Sequence, residues 1–105
     1  MQSNIQFTDQ RLVISGGQDF VNTESLAAEG TALINQWLQA GNTANRLEID
    51  LSQLERSNSG MISILLQWKQ LLAEHSIELE LHNPPLPIQR LITLYHLQAH
   101  FPLAS

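Results

Sequence analysis

Hydrophobic and polar residues alternate in several short stretches of the chain, a spacing typical of β-strands. Residues 5–7 and 12–14 alternate in this way on either side of turn-forming residues, and they predict a β-hairpin. Residues 46–51 (RLEIDL) predict the central strand, and residues 77–81 (IELEL) predict a further strand. The pattern therefore indicates four strands.

Three other stretches carry apolar residues at the spacing of one helical face. In the first, Asn22 or Thr23 is placed to cap the helix start, and Gly41 is placed to end the helix in a left-handed conformation. The second covers residues 60–74, and its wide apolar arc predicts two packing surfaces. The third has Pro87 in its first turn. Its inner face is expected to carry Ile88, Leu91, Ile92 and Tyr95.

The elements follow the order β-β-α-β-α-β-α. Strands that alternate with helices need crossover connections, which lay the helices over a largely parallel sheet. We therefore predict an α/β fold with about four mostly parallel strands and three helices. No repeat or linker divides residues 1–105, so we expect one domain.

Charge and composition exclude several classes of function. Five basic residues stand singly among ten acidic ones, so the chain has no electrostatic footprint for nucleic acid. It has no cysteine for a disulfide or a thiolate metal site. We find neither a secretion signal nor an apolar run long enough to span a membrane. These features predict a cytoplasmic protein that does not insert directly into a membrane.

The segment of residues 55–61 (ERSNSGM) joins the central strand to the second helix. The first turn of a helix has free N–H groups, and Ser57, Asn58 and Ser59 are residue types that cap them. Gly60 either permits close approach of another group or relieves crowding. From these residues alone, capping is the simpler interpretation, and contact with a partner is the alternative.

Three segments resemble, in their order and spacing, the STAS domain family. They are LVISGGQDF with Asp19, IDLSQLERSNSGM, and LHNPPLPIQRLITLYHLQAHFPL, and together they span nearly the whole chain. The chain is most similar to the small STAS subunits of Mla-type phospholipid ABC transporters and more distantly to anti-sigma factor antagonists. The resemblance implies a STAS-like fold.

The resemblance also shows an informative departure. Antagonists usually carry Asp-Ser-Ser-Gly at the start of the second helix, and a partner kinase phosphorylates the first serine. Here Ser57 replaces the aspartate and Asn58 replaces that serine, while Ser59 and Gly60 match. Asparagine cannot be phosphorylated, so this chemistry is lost unless the alignment shifts and Ser57 or Ser59 takes the role.

The transporter resemblance implies a non-catalytic subunit that binds the ATPase subunit of an inner-membrane ABC transporter for phospholipid trafficking. Such a protein is cytoplasmic, peripheral to the membrane through its partner, and supports assembly or activity. The alternative is an anti-sigma factor antagonist that binds an anti-sigma factor kinase and regulates a sigma factor by partner switching. The implied partner-binding residues are Ser57, Asn58, Ser59, Gly60, the first-turn residues Met61 and Ser63, expected to be exposed, and Asp19.

Catalytic and metal motifs are not predicted. The chain has neither a Gly-x-Ser-x-Gly elbow nor a phosphate-binding Gly-x-x-x-x-Gly-Lys run, so we expect no enzymatic activity and no cofactor. His96 and His100 are four residues apart, but the third helix is expected to end near His96, and no metal site is predicted. Trp37 and Trp68 have helical apolar spacing and are expected to pack in the core.

Overall fold

Seven elements follow one another in the predicted order. The computed structural model describes residues 3–8, 11–18, 22–41 and 44–101. The strands are β1 (Ser3–Thr8), β2 (Arg11–Gly17), β3 (Arg46–Arg56) and β4 (Glu78–His82), and the helices are α1 (Thr23–Gln39), α2 (Gly60–Ala73) and α3 (Leu86–Leu94). The predicted α/β class and element order are confirmed.

The strands form one sheet in the order β1-β2-β3-β4. β1 pairs with β2 antiparallel, as the predicted hairpin requires, whereas β3 is parallel to both β2 and β4. The hairpin aligns Ile5 with Ile14, and the parallel pair aligns Leu47 with Leu79. Because side chains alternate across a sheet, these apolar residues share one side.

The three helices cover that side of the sheet and enclose the core. Trp68 of α2 is fully buried against Gly30 of α1, where the indole occupies the space that any Cβ would need. Trp37 of α1 is half-buried and stacks on Phe7 of β1, with ring centroids 5.9 Å apart. The expected packing of both tryptophans is therefore observed.

Helix α2 lies between the other two helices and also contacts β4. Its wide apolar arc serves these separate packing surfaces, as predicted. Its buried residues are Met61, Ile62, Ile64, Leu65, Trp68 and Leu72. In the described part of the chain, no helix combines the length and the apolar character needed to cross a membrane.

The other side of the sheet, which we call the open face, is polar. It carries alternate residues of β2, β3 and β4, which are the apolar Val13 and the polar residues Arg11, Arg46, Glu48, Asp50, Glu78, Glu80 and His82. Asp50 is the most buried of these residues, at 7% exposed, and the others are half-buried or exposed. This face is built from ion pairs instead of apolar contacts.

One predicted boundary is wrong, and so is the placing of Tyr95 on the inner face of α3. β3 continues to Arg56 instead of ending at residue 51, because pairing with β2 resumes after a register shift and returns Leu54 to the core. Tyr95 is 50% exposed because α3 ends at Leu94, and the chain then turns at His96, whose φ is 56°. The helical spacing of His96 and His100 therefore does not place them on one helical face.

The ends of α1 give a mixed outcome. Gly41 has a φ of 77°, as its predicted left-handed position requires. At the other end Asn22 occupies the N-cap position, as predicted, but its side chain does not accept a cap bond and instead donates from Nδ2 to the carbonyl oxygen of Gly17 at 2.8 Å. Thr23 is already the first helical residue, and its hydroxyl accepts a hydrogen bond from another side chain.

Candidate partner-binding site

The candidate site lies where two parallel strands end and two helices begin. β2 and β3 run in the same direction, and Gly17 pairs with Arg56 at their carboxyl ends. α1 starts six residues after the end of β2 and α2 starts four residues after the end of β3. The starts of both helices are therefore brought to one edge of the sheet, which is where ligands and partners commonly bind in parallel sheets.

Gln18 links these four chain segments and is 1% exposed. Its backbone N–H donates to the carbonyl oxygen of Arg56 at 2.7 Å. Its side-chain Nε2 donates to Thr23 Oγ1 at 2.8 Å and to Asn58 Oδ1 at 2.9 Å. Its Oε1 accepts from the backbone N–H of Asn58 at 2.7 Å. We call Gln18, Thr23 and Asn58 the Gln18 network, and it fixes the two helix starts relative to each other.

Asn58 caps α2. Its side-chain Oδ1 accepts from the backbone N–H of Gly60 at 2.8 Å, and its carbonyl oxygen accepts from the N–H of Met61 at 3.0 Å. Ser59 occupies the N-cap position with helical φ and ψ, and within the described residues its hydroxyl makes no cap bond. Of the three predicted capping candidates, the one that satisfies the helix start is thus Asn58.

Gly60 is needed for close approach of the network. A Cβ at this position would lie 2.9 Å from Gln18 Nε2, 3.0 Å from Asn58 Oδ1 and 3.1 Å from Thr23 Oγ1. A side chain here would push the network apart or expose it to water. Of the two roles considered for this glycine, close approach is the one that the packing supports.

The other predicted site residues differ in exposure. Ser59 and Ser63 are exposed and Ser57 is half-buried. Met61 is fully buried among the core residues, so the expectation that it is exposed is wrong. The second residue of α2 turns its side chain inward, because the apolar arc of the helix begins there. Asp19 lies outside the described residues.

Next to the helix start, the outer side of α2 and α3 forms a distinctive surface. Among the described residues, the exposed large hydrophobic side chains are Leu66, Leu86, Leu94 and Tyr95. All of them belong to α2, α3 or the turn that follows α3. With Ser63 we call them the α2–α3 surface. Leu86 and Leu94 line one groove on α3, and large exposed apolar side chains that share a surface mark sites of interaction with other molecules.

This surface is also almost free of charge. The segments of α2 and α3 contain no acidic residue, and their charged residues are Lys69 and Arg90. The whole chain carries a formal net charge of −5. The acidic residues are therefore concentrated elsewhere, and charged residues are likewise depleted at the centres of protein–protein interfaces.

Two features of this site were missed by the sequence analysis. Gln18 follows two glycines at the end of a strand, and that position beside a parallel neighbour is a signal that could have identified it. The exposure of Leu66 had no such signal, since it follows the buried Ile64 and Leu65 in an apolar run. The packing of two neighbouring helices decides which leucine faces outward.

A family model described as "Mlab, STAS domain" matches residues 1–103. The chain belongs to the STAS domain family. This finding confirms the predicted resemblance over nearly the whole length. Among curated proteins, no significant match to the chain is found.

Solved structures add similar proteins of two kinds. The MlaB subunit of the Acinetobacter MlaFEDB complex, in an ATP-bound conformation, is 30% identical with a TM-score of 0.75, covering 96% of this chain and 100% of that one. An anti-sigma factor antagonist from Mycobacterium paratuberculosis is 24% identical with a TM-score of 0.72, covering 99% and 85%.

The antagonist SpoIIAA in its unphosphorylated form is more distant in sequence. It is 17% identical with a TM-score of 0.71, and the match covers 99% of this STAS chain and 89% of that one. At these identities the two antagonists show a shared fold alone. Neither the family nor its structural neighbours indicates an enzymatic activity.

Proposed function

We propose that this STAS protein is a non-catalytic subunit that binds the MlaF-like ATPase of an inner-membrane ABC transporter for phospholipid trafficking. The observation that carries the proposal is its 30% identity to the MlaB subunit, with 96% of this chain and 100% of that one aligned. The protein supports assembly or activity of the complex. It acts on the cytoplasmic side of the membrane, where its partner holds it.

The α2–α3 surface is the proposed docking site for the ATPase. Leu86 and Leu94 are 55% and 66% exposed, so covering them with a partner would remove apolar surface from water. Ser59 and Ser63 extend the surface toward the helix start and place hydroxyl groups at its rim. An apolar centre with a polar rim is the usual anatomy of a protein–protein interface. Arg90 also lines the groove that holds Leu86 and Leu94, and arginine is enriched at such interfaces.

The Gln18 network supports docking that does not depend on phosphorylation. Asn58 replaces the serine that antagonists phosphorylate, and its amide side chain is engaged by both Gly60 and Gln18. A permanent cap keeps the start of α2 in one geometry. The helix start is then ready for its partner without covalent modification.

A charge placed on the α2–α3 surface tests the proposed docking. Ser63→Arg adds a long cation at an exposed position, and we expect at least tenfold weaker binding to the purified ATPase by calorimetry. Ser52→Arg is the matched control, because Ser52 is an exposed serine of β3, outside both helices. Equal affinity of wild type and Ser63→Arg would remove this surface from the interface. Failure of the wild type to bind the ATPase would reject the proposed function.

An antagonist of an anti-sigma factor is the second candidate, favoured by the exposure of Ser59 beside the helix start. A phosphate there would add about −1.5 to −2 charges next to the N–H groups of α2. The protein is incubated with the anti-sigma factor kinase of its own cell and ATP, and its intact mass is measured. One added phosphate that is lost in Ser59→Ala would favour this candidate. An unchanged mass favours the transporter subunit.

A further inference from the structure

The open face brings together three groups that are common metal ligands. Glu48 of β3 pairs in register with Glu80 of β4, and Asp50 pairs with His82. His82 Nε2 lies 2.7 Å from Glu80 Oε1 and 3.7 Å from Glu48 Oε1. One ligand atom from each of these three residues lies within 4.8 Å of the others. The donors therefore converge from two neighbouring strands on one point.

Two arginines hold the outer oxygens of both carboxylates. Arg11 Nε donates to Glu48 Oε2 at 3.0 Å, and Arg46 Nη1 donates to Glu80 Oε2 at 3.1 Å. Each glutamate thus has one oxygen fixed by an arginine and the other directed toward His82. Partners that orient the ligands in this way are a regular part of metal sites.

We propose that Glu48, Glu80 and His82 form a binding site for a divalent transition-metal ion of the Zn²⁺ class. Zinc binds histidine nitrogen and carboxylate oxygen at about 2.0–2.2 Å, which places tetrahedral ligands about 3.4 Å apart. The observed separations of 2.7 and 3.7 Å lie on either side of this value, so small rotations of the side chains suffice. Water supplies the fourth ligand, because all three side chains are partly exposed.

The charges around the site also favour a cation. Three carboxylates, Glu48, Asp50 and Glu80, face two arginines, Arg11 and Arg46. Among these ion-paired side chains, the carboxylates outnumber the arginines by one. A divalent ion that replaces the hydrogen bond between His82 Nε2 and Glu80 Oε1, and also binds Glu48 Oε1, would offset this excess and would join β3 to β4. The site lies on the opposite side of the sheet from the α2–α3 surface, and the inference is independent of the proposed docking.

The sequence analysis did not find this site, since Glu48, Glu80 and His82 belong to no motif of fixed spacing. Glu48 and Glu80 are 32 positions apart in the chain, and the parallel register alone brings them together. The histidine pair that the sequence did suggest, His96 and His100, lies beyond α3 and is separate from these residues.

The test uses the full chain without an affinity tag. Zinc chloride is titrated into the metal-free protein in a calorimeter, and Co²⁺ is added separately to record the visible absorption of a tetrahedral site. We expect saturation at one equivalent. His82→Gln and Glu48→Gln should each weaken zinc binding at least tenfold and abolish the tetrahedral Co²⁺ spectrum. His75→Gln is the matched control, because His75 is an exposed histidine in the turn after α2.

Thermal unfolding provides a second measurement that does not depend on the titration. Zn²⁺ should raise the Tm of the wild type and of His75→Gln, and it should leave the Tm of His82→Gln unchanged. If His82→Gln fails to fold, Glu80→Gln replaces it in both experiments. Absence of saturable binding at one equivalent would overturn the proposal. The proposal would also be overturned if zinc binding persisted in the variants of all three residues, or if it were lost in His75→Gln.

Discussion

The two sides of the sheet are held together by different forces. The side under the helices is apolar, with Ile49 and Leu81 aligned on neighbouring strands and fully buried. The open face carries ion pairs at the positions between them, such as Glu48 and Glu80. Burial of apolar surface is worth far more than partly exposed ion pairs. Stability therefore depends mainly on the helix-covered side.

The outer surfaces of the molecule differ in the same way. The α2–α3 surface is nearly uncharged and exposes leucines, whereas the open face concentrates carboxylates, arginines and a histidine. An apolar surface suits a protein partner, and a charged one suits an ion. The proposed docking surface and the proposed metal site thus lie on opposite sides of one small sheet.

The largest effect is expected in the core on the helix side. Leu65 of α2 is fully buried, and Leu65→Ala should lower the free energy of unfolding by about 2 to 5 kcal/mol through lost burial and a residual cavity. Leu66→Ala is the matched control, since the neighbouring leucine is 36% exposed and should lose about 1 kcal/mol or less. Urea denaturation followed by circular dichroism measures both. Equal losses would contradict the orientation of α2.

A smaller loss is expected where the helix-covered side meets the carboxyl edge of the sheet. Asn58→Ala removes the acceptor of the Gly60 N–H and a partner of Gln18, and should cost about 1 to 2 kcal/mol. Ser59→Ala should change the free energy of unfolding by less than about 0.5 kcal/mol, because that side chain is exposed. A larger loss in Ser59→Ala than in Asn58→Ala would show that the cap is misassigned.

The helix-covered side could be predicted from the sequence because burial leaves a period in the chain. The alternation around Leu47 and Leu79 predicts two strands, and the order of elements then leads to a parallel sheet. The contacts on the open face could not be predicted in this way, because any polar residue fits the outward positions of a strand whatever it contacts. The position of Gln18 after two glycines at a strand end gave a signal for that residue, but its bonds to Asn58 could not be predicted. The bonds between Gln18 and Asn58 join residues 40 positions apart, and they depend on the register of β2 with β3.

The open face should affect stability through pH. Burial disfavours the charged form of Asp50, but hydrogen bonds from Ser52 and Asn83 and the charge of Arg11 outweigh it, so the pKa of Asp50 lies below its usual value of 3.8. Because the pKa of Asp50 is lower in the folded state than in the unfolded state, ionised Asp50 stabilises the folded protein at pH values above the unfolded pKa. This contribution is lost as the pH falls below 3.8 and through the folded pKa.

Asp50→Asn tests this contribution, because the amide keeps an oxygen that accepts from the Ser52 N–H, observed here at 2.9 Å. Denaturation midpoints are measured from pH 7 to pH 2.5. We expect the variant to be less stable than wild type at pH 7, and the difference to shrink as the pH falls below 3.8. A constant difference over the whole range would show that the charge of Asp50 does not contribute.

The smallest effect is expected for the ion pair between Arg46 and Glu80. Its nitrogen and oxygen are 3.1 Å apart, but the arginine side chain is 58% exposed and the glutamate 23%. Pairs this exposed to water contribute about 0 to 1 kcal/mol, and salt screens them. Arg46→Gln should therefore lower the free energy of unfolding by less than about 1 kcal/mol. Added sodium chloride should reduce the difference from wild type.

The same variant also tests whether the two sides of the sheet differ as sharply as their contacts suggest. Urea denaturation at low and high salt compares Arg46→Gln with wild type. A loss above about 2 kcal/mol would exceed what an exposed pair supplies. It would mean that Arg46 holds Glu80, His82 and Glu48 as one cooperative network and that the open face stabilises the fold together with the core. A small, salt-sensitive loss in the free energy of unfolding would mean that stability comes from the helix-covered side. The main role of Arg46 would then be to orient Glu80.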